Sequence, residues 1–336
     1  MAEKNIKFED SSVSLITGKS FSYLRKITEK ETTVLLTDEN VFNAHKEKFN
    51  SWQTIVIKAG EKFKTQRTVD AILKNLVHRK ADRNYSLVGV GGGVITDIAG
   101  YVASVYMRGI RFGFVPTTLL ALVDASIGGK NGINLGVHKN MIGLFNHPSF
   151  ILHDLSFLST LQDKEWNNGF AEIIKHACIK DASLFKLLEE ARPARFRKDN
   201  DALKSLIEKN IKIKYRIVAI DEKENGERML LNFGHTLGHA IENQYQLSHG
   251  EAISIGMSFA CDLSDAERGF KQAVRVKNLL EKYRLPVHYN YDKNRVMQVL
   301  RMDKKKKSNV INFVLLDKIG KAGYFPLSLE KIKKAL

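Results

Sequence analysis

The chain has 336 residues, 43% of them hydrophobic and 27% charged, with only 5 prolines. That composition excludes collagen, coiled coil and extended disorder, and the length suits about two packed domains. Its 53 Lys and Arg against 37 Asp and Glu leave a net charge of +16, which suits an anionic partner, either a nucleic acid or a phosphorylated, carboxylated metabolite.

Two cysteines, Cys178 and Cys261, are too few for a disulfide framework, and both sit in apolar segments that fit reduced core thiols. The opening MAEKNIKFEDSS has no apolar run of signal-peptide type. The most apolar long window, 87–107, holds five glycines and Asp97, and a charge at bilayer depth is costly. A soluble cytoplasmic protein with no membrane partner is expected.

Short β-rich runs at 33–37, 54–58, 86–90, 112–115 and 150–153 alternate with helical stretches up to about residue 158. This is the order a mostly parallel sheet with crossover helices requires. From about residue 163 the apolar spacing turns helical, over 202–218, 231–241 and 252–263. Strand-like runs return only at 310–316 and 323–325. The chain therefore reads as an α/β domain over 1–158 followed by a mainly α-helical domain over 159–336. No internal repeat stands out.

The run Val88-Gly-Val-Gly-Gly-Gly-Val-Ile-Thr-Asp97 follows a strand and opens a helix. Glycines there let backbone N–H groups approach a phosphate, and the helix N-terminus adds a positive dipole. A tight turn that packs strand on helix would use the same glycines. Asp97 fits a ribose contact or a helix-capping role. Thr117, Thr118, Asp124, Gly128-Gly129-Lys130 and Lys139-Asn140 follow within 24 residues. Lysines beside paired glycines suit an anion cradle.

His235 and His239 are four apart in a helical stretch, so they share one face. That spacing can offer two imidazoles to one metal, though both need not bind it. His249 follows ten residues later at the expected start of the next helix. Glu172 lies in an apolar helical segment with Lys175 one turn on. Glu plus two His is a catalytic zinc set with an open position; on chemistry alone His176 and Glu251 are also candidates. A charged segment, Lys214 to Arg228, precedes the histidines. Arg228 and Asn232 are four apart and are expected to point the same way as His235 and His239, within reach of the same pocket.

GGGVITD (91–97), VPTTLLALVDASIGGKNGIN (115–134), KNMIG (139–143), GFAEIIKH (169–176), NFGHTLGHAIE (232–242) and HGEA (249–252) together resemble the 3-dehydroquinate synthase family, in order and over nearly the whole chain. The resemblance implies a Rossmann-like NAD-binding domain and a helical metal- and substrate-binding domain with the active site in the cleft between them. It implies conversion of 3-deoxy-D-arabino-heptulosonate 7-phosphate to 3-dehydroquinate and phosphate. The route is transient oxidation by NAD, phosphate elimination, re-reduction and aldol closure. It also implies one divalent zinc or cobalt ion and a homodimer.

Carried over residue by residue, the metal ligands are Glu172, His235 and His249, and the catalytic groups are His239, Glu224 and Lys175. Substrate contacts are Arg108, Asp124, Lys130, Asn140, Lys214, Arg228, Asn232 and one lysine of the 304–305 pair, taken as Lys305. Arg108 is expected to reach across the dimer. NAD contacts are Asp38, Asn40, Glu61, Lys64, Gly92, Gly93, Asp97, Thr117, Thr118, Lys130, Lys139 and Thr160. Many members read GGKTGVNHPLGKN where this chain reads GGKNGINLGVHKN, so Asn131 and Leu135-Gly136 depart from the pattern. Altered local packing or cofactor affinity is expected there, not a new reaction. A sister sugar-phosphate cyclase acting on another sugar phosphate is the alternative activity. A metal-dependent polyol or alcohol dehydrogenase is a more distant one. Nucleic acid is not an expected partner, because aromatic-glycine RNA motifs, zinc-finger spacing and clustered basic helices are lacking.

Overall fold

The computed structural model describes residues 3–9, 11–136, 138–302 and 310–336. They fall into two compact units, Met1–Gln162 and Asp163–Leu336.

In the first unit the strands are β1 (Glu3–Lys7), β2 (Ser12–Thr17), β3 (Thr33–Asp38), β4 (Gln53–Ile57), β5 (Ser86–Gly91), β6 (Arg111–Pro116), β7 (Lys130–Leu135), β8 (His138–Phe145) and β9 (Phe150–His153). Helices α1 (Glu39–Ala44) and α2 (Lys46–Phe49) link β3 to β4, α3 (Gln66–His78) links β4 to β5, and α4 (Gly93–Val105) links β5 to β6. Seven strands form one sheet in the order β1-β2-β9-β6-β5-β3-β4, parallel throughout except where β1 runs against β2. Strands β3 and β5 are apolar and buried almost end to end, as expected when helices cover both faces of a parallel sheet. Leu24, Leu35, Val88, Val90, Val115, Phe150, Leu152 and Phe157 form one core cluster. From β3 the chain steps to β4 on one side, and β5 then pairs on the other side. The order therefore reverses between β3 and β5, leaving a crevice at the carboxyl ends of these strands where ligands bind in open α/β sheets.

The second unit contains α5 (Asp163–Lys180), α6 (Ala182–Glu190), α7 (Arg195–Lys198), α8 (Asn200–Ile220), α9 (His235–Tyr245), α10 (His249–Arg268), α11 (Ala273–Lys282) and α12 (Lys293–Met302), then a hairpin of β10 (Val310–Lys318) and β11 (Lys321–Ser328), and α13 (Leu329–Ala335). Every residue from Asn168 to Ile179 is buried, so α5 is the central helix of this unit. Asp181 and Asp199 cap α6 and α8 through their carboxylates, and Ser248 with Glu251 forms a capping box at α10. Leu237, Ile241, Ile255, Phe259, Val296, Leu300, Phe313 and Leu315 belong to one core cluster. Cys178 and Cys261 are buried thiols. No helix among the described residues is long and apolar enough to cross a membrane.

Three features differ from the pattern expected from sequence. Strands β1 and β2 extend the sheet from the N-terminus, and β7 with β8 forms a separate antiparallel hairpin. The helix expected over 231–241 is two elements, a 3₁₀ turn at Glu227–Asn232 and then α9. Gly234 separates them in the left-handed region, φ +79°, which breaks the helical repeat and favours glycine. Arg228 and Asn232 therefore do not share the face that carries His235 and His239.

Candidate active site

In the first unit the candidate residues gather at the carboxyl ends of β3, β5 and β6. Asp38 ends β3 and accepts hydrogen bonds from the backbone N–H of Asn40 (2.9 Å) and Val41 (3.1 Å). Burial raises its carboxyl pKa. The glycine-rich run divides its tasks. A Cβ on Gly89 would lie 2.8 Å from that of Ala99, and one on Gly91 2.5 Å from that of Ile95, so these two let α4 pack on the sheet. Gly92 is the N-cap of α4 and supplies no side-chain cap, so the first N–H groups of α4 are left to an anion. Asp97 is not a cap; its carboxylate pairs with the buried ammonium of Lys64. The Thr37 and Thr117 hydroxyls are buried at the ends of β3 and β6, with no hydrogen-bond partner among the described residues. Orphaned hydroxyls at a strand-order reversal are what a bound polar ligand would satisfy, so this crevice fits a dinucleotide.

Lys64 also donates to Asn140 Oδ1, joining a residue expected at NAD to one expected at substrate. The sequence reading missed Asn134, which ties this group together. Its Nδ2 donates to Glu61 Oε1 at 2.8 Å, its Oδ1 accepts from Asn140 N at 2.9 Å, and its backbone N donates to Lys64 O at 2.9 Å. Asn140 is left-handed at φ +54°, a conformation asparagine tolerates better than most residues. Asn131 is buried, with Nδ2 donating to Gly129 O (2.9 Å) and Asn146 O (2.7 Å). The departure at 131 thus closes the base of the β7–β8 hairpin just behind Lys130. Leu135-Gly136 lies at the hairpin turn, where Gly136 has φ +58°. Lys130 is exposed, Asp124 and Lys139 are half-buried, and Arg108 is exposed with φ +67°. Thr118 caps the turn at Ala121, and Thr160 pairs with His45 instead of with any of the other candidates.

In the second unit, Glu172, His235 and His249 each bring one ligand atom within 4.8 Å of the others. His249 Nε2 is 3.1 Å and His235 Nε2 3.5 Å from Glu172 Oε1. Ligands about 2.1 Å from a tetrahedral zinc lie roughly 3.4 Å apart, so the set fits a divalent ion. Close helix packing brings them together. A Cβ on Gly256 would fall 1.9 Å from Gly234 O, and one on Gly238 3.0 Å from Ala252 O, so α9 and α10 cross nearly backbone to backbone. Gly250 N donates to Asn168 Oδ1 at 2.9 Å, fastening the start of α10 to α5. The Phe233 carbonyl lies 3.1 Å from His235 Nδ1, leaving Nε2 toward Glu172.

Burial and the nearby Lys175 ammonium push the His235 imidazole well below its ordinary pKa. Burial opposes charging His249, but the hydrogen bond to Glu172 and the facing carboxylate of Glu242 outweigh it and push that imidazole up to about 10. His239 is exposed, its ring edge-on to His235 with centroids 5.1 Å apart. Lys175 is buried and paired with Glu172. Of the other candidate ligands, Glu251 belongs to the α10 capping box, where its Oε2 accepts from Ser248 N. His176 faces Asn210, with Nδ1 3.2 Å from Oδ1, although its ring also offers an atom within 4.8 Å of Glu172.

Lys214 and Arg228 are also buried cations. Arg228 donates to Glu222 O, and the Asp221 carboxylate gathers the backbone N–H groups of Asn225, Gly226 and Arg228. Glu224, left-handed at φ +62°, accepts from Asn232 Nδ2 at 2.9 Å. Lys304 and Lys305 lie outside the described residues. Besides Asn134, sequence reasoning missed Glu242, whose Oε1 is 3.7 Å from His249 Nδ1. Its place seven residues after His235, on the same helix face, was the available signal.

Residues 54–168 match the family described as 3-dehydroquinate synthase N-terminal, and residues 169–306 match 3-dehydroquinate synthase C-terminal. A 3-dehydroquinate synthase of Thermoanaerobacter pseudethanolicus is 40% identical over 338 residues, covering 94% of each chain. Another, of Campylobacter curvus, is 40% identical and covers 89% of each. Among solved structures, the 2-epi-5-epi-valiolone synthase ValA of Streptomyces hygroscopicus subsp. jinggangensis, with NAD+ and Zn2+ bound, has a TM-score of 0.89. It is 26% identical, with 98% of this chain and 97% of that one covered. A 2-deoxy-scyllo-inosose synthase complexed with carbaglucose-6-phosphate, NAD+ and Co2+ shares the fold at a TM-score of 0.84 and 24% identity, covering 99% and 98%.

Proposed function

Because the chain belongs to the 3-dehydroquinate synthase family, we propose that it converts 3-deoxy-D-arabino-heptulosonate 7-phosphate to 3-dehydroquinate and phosphate, as an NAD- and metal-dependent carbon–oxygen lyase of the shikimate pathway. The observation that carries this reading is the convergence of Glu172, His235 and His249 in a chain 40% identical, nearly end to end, to proteins of that name.

In this reading the first unit holds NAD through the α4 N-terminus at Gly92 and Gly93, the orphaned Thr117 hydroxyl, and Asp38, Asn40, Glu61, Lys64, Asp97, Thr118, Lys130, Lys139 and Thr160. The Lys64–Asp97 pair and the Asn134 bridge hold that set in register before a ligand arrives. Glu172, His235 and His249 would hold zinc or cobalt in the second unit. When bound, the ion polarises an oxygen of its ligand and the nicotinamide takes and returns hydride.

The residues of the chain do the rest. Lys175, Lys214 and Arg228 are cations already removed from water, which favours an anionic partner in return. Arg108, Asp124, Lys130, Asn140, Asn232 and Lys305 complete the substrate contacts. His239, exposed beside the ligand set, can carry a proton at its imidazole. Glu224, held by Asn232, is the second acid/base group.

The protein works in the cytoplasm as a homodimer in this reading. Exposed Val105, Met107, Met141 and Phe145 in the first unit supply apolar surface for a second copy near Arg108.

Phosphate release tests the proposal, with 3-deoxy-D-arabino-heptulosonate 7-phosphate and sedoheptulose 7-phosphate in parallel, each with and without NAD and a chelator. Release from the first sugar alone, lost without NAD or metal and yielding 3-dehydroquinate, is the expected result. Release only from the second would make this chain a sister cyclase, and silence with both would overturn the assignment.

A further inference from the structure

We propose that Glu242 is a positioning residue for His249, acting through the ring nitrogen turned away from the metal. This rests on Glu172, His235 and His249 being the ligands. An imidazole that gives one nitrogen to a metal carries its hydrogen on the other, and that N–H needs an acceptor to hold the ring at the right tautomer and angle. His235 has such an acceptor in the Phe233 carbonyl, 3.1 Å from Nδ1. The His249 ring is turned with Nε2 3.1 Å from Glu172, and its Nδ1 faces the Glu242 carboxylate at 3.7 Å.

The placement follows from the helix repeat. His235 and Glu242 are seven residues apart on α9, two turns along one face. His249, the first residue of α10, is bracketed by a ligand from α5 on one nitrogen and a carboxylate from α9 on the other. Glu242 is only 8% exposed, and a carboxylate is kept that far from water only against a donor or a cation. A carboxylate also differs from the carbonyl behind His235. It adds negative charge behind the imidazole, which would raise its basicity as a ligand.

The test uses the full chain stripped of metal, with zinc affinity read by competition against a chromophoric chelator and the visible spectrum of the cobalt-loaded protein as a second signal. Glu242→Ala should weaken zinc binding by about 10- to 100-fold. Glu242→Gln keeps the shape and an acceptor oxygen but loses the charge; it should show a smaller loss and a shifted cobalt spectrum. Circular dichroism of the metal-free variants checks the fold. If Glu242→Ala does not fold, the glutamine variant decides alone, and wild-type affinity with a wild-type spectrum in that variant overturns the proposal. His249→Ala is the control. If it binds zinc like the wild type, the ligand assignment itself is wrong and this inference falls with it. If it loses zinc while both Glu242 variants do not, only the inference falls.

Discussion

His153 offers a sharp test of how burial governs this fold. It ends β9, is 2% exposed, and neither ring nitrogen has a hydrogen-bond partner among the described residues. Burial alone lowers its pKa from an ordinary 6.5 to about 3. The unfolded chain therefore takes up a proton near pH 6.5 that the folded chain refuses until about pH 3, so stability is full above the unfolded pKa and falls as pH drops. The loss reaches about 2 kcal/mol at pH 5 and about 5 kcal/mol below pH 3. His153→Leu removes the titration and two polar atoms that lack partners, each costing roughly 1–3 kcal/mol when buried. The variant should match or exceed the wild type at pH 8, and its advantage should grow by about 2 kcal/mol by pH 5. In a Trp166→Phe background, Trp52 fluorescence reports urea unfolding of the first unit. Parallel pH profiles for the two proteins would show that the ring protonates in the fold or finds a partner there, refuting the argument.

The ligand set yields two paired predictions. Glu172→Gln should strip zinc and also destabilise the chain by up to roughly 3 kcal/mol, because the buried Lys175 loses a counter-charge. His239→Ala should keep zinc and lose turnover; metal analysis beside the phosphate assay separates the two, and loss of zinc from His239→Ala would reverse the roles of the helix histidines. Zinc affinity of the metal-free chain should rise about tenfold per pH unit through neutrality, because His249, pushed up to about 10, must shed a proton to bind; a flat titration between pH 6.5 and 8.5 contradicts this. Gly256→Ala places a methyl 1.9 Å from the Gly234 carbonyl and should cost about 1–3 kcal/mol, read by urea midpoint, with weaker zinc binding as α9 and α10 separate. Asn134→Ala should weaken NAD binding, measured by calorimetry, while leaving zinc affinity unchanged; unaltered NAD affinity would make the bridge to Glu61 and Asn140 incidental.

Much of the fold was legible from local pattern. The strands β3, β5, β6 and β9 are short apolar runs whose residues pack both faces of one sheet, and such runs announce themselves without reference to neighbours. The helical second half was equally plain in its apolar period. The candidate ligands were legible too, because Glu172, His235 and His249 stand out as polar residues in apolar surroundings, though their assignment drew on resemblance as well as on spacing.

What the sequence left open depends on long-range geometry. Strand β1 has four of its five residues exposed, so its pairing with β2 carries little hydrophobic signal. The hairpin β7–β8 has a mostly exposed second strand, and it is held by Asn131 and Asn134, whose partners lie up to 73 residues away. The break at Gly234 depends on one left-handed residue, which helical periodicity passes over. Which histidine nitrogen faces Glu172, and which carboxylate stands behind His249, depends on how closely α9 and α10 pack. Glycine at 234, 238 and 256 permits that approach, and only the assembled helices turn it into 3.1 and 3.5 Å contacts to one oxygen. Residue types and their period along the chain determined the elements and the chemistry available. The relative placement of those elements, which no local period encodes, decided which side chains meet.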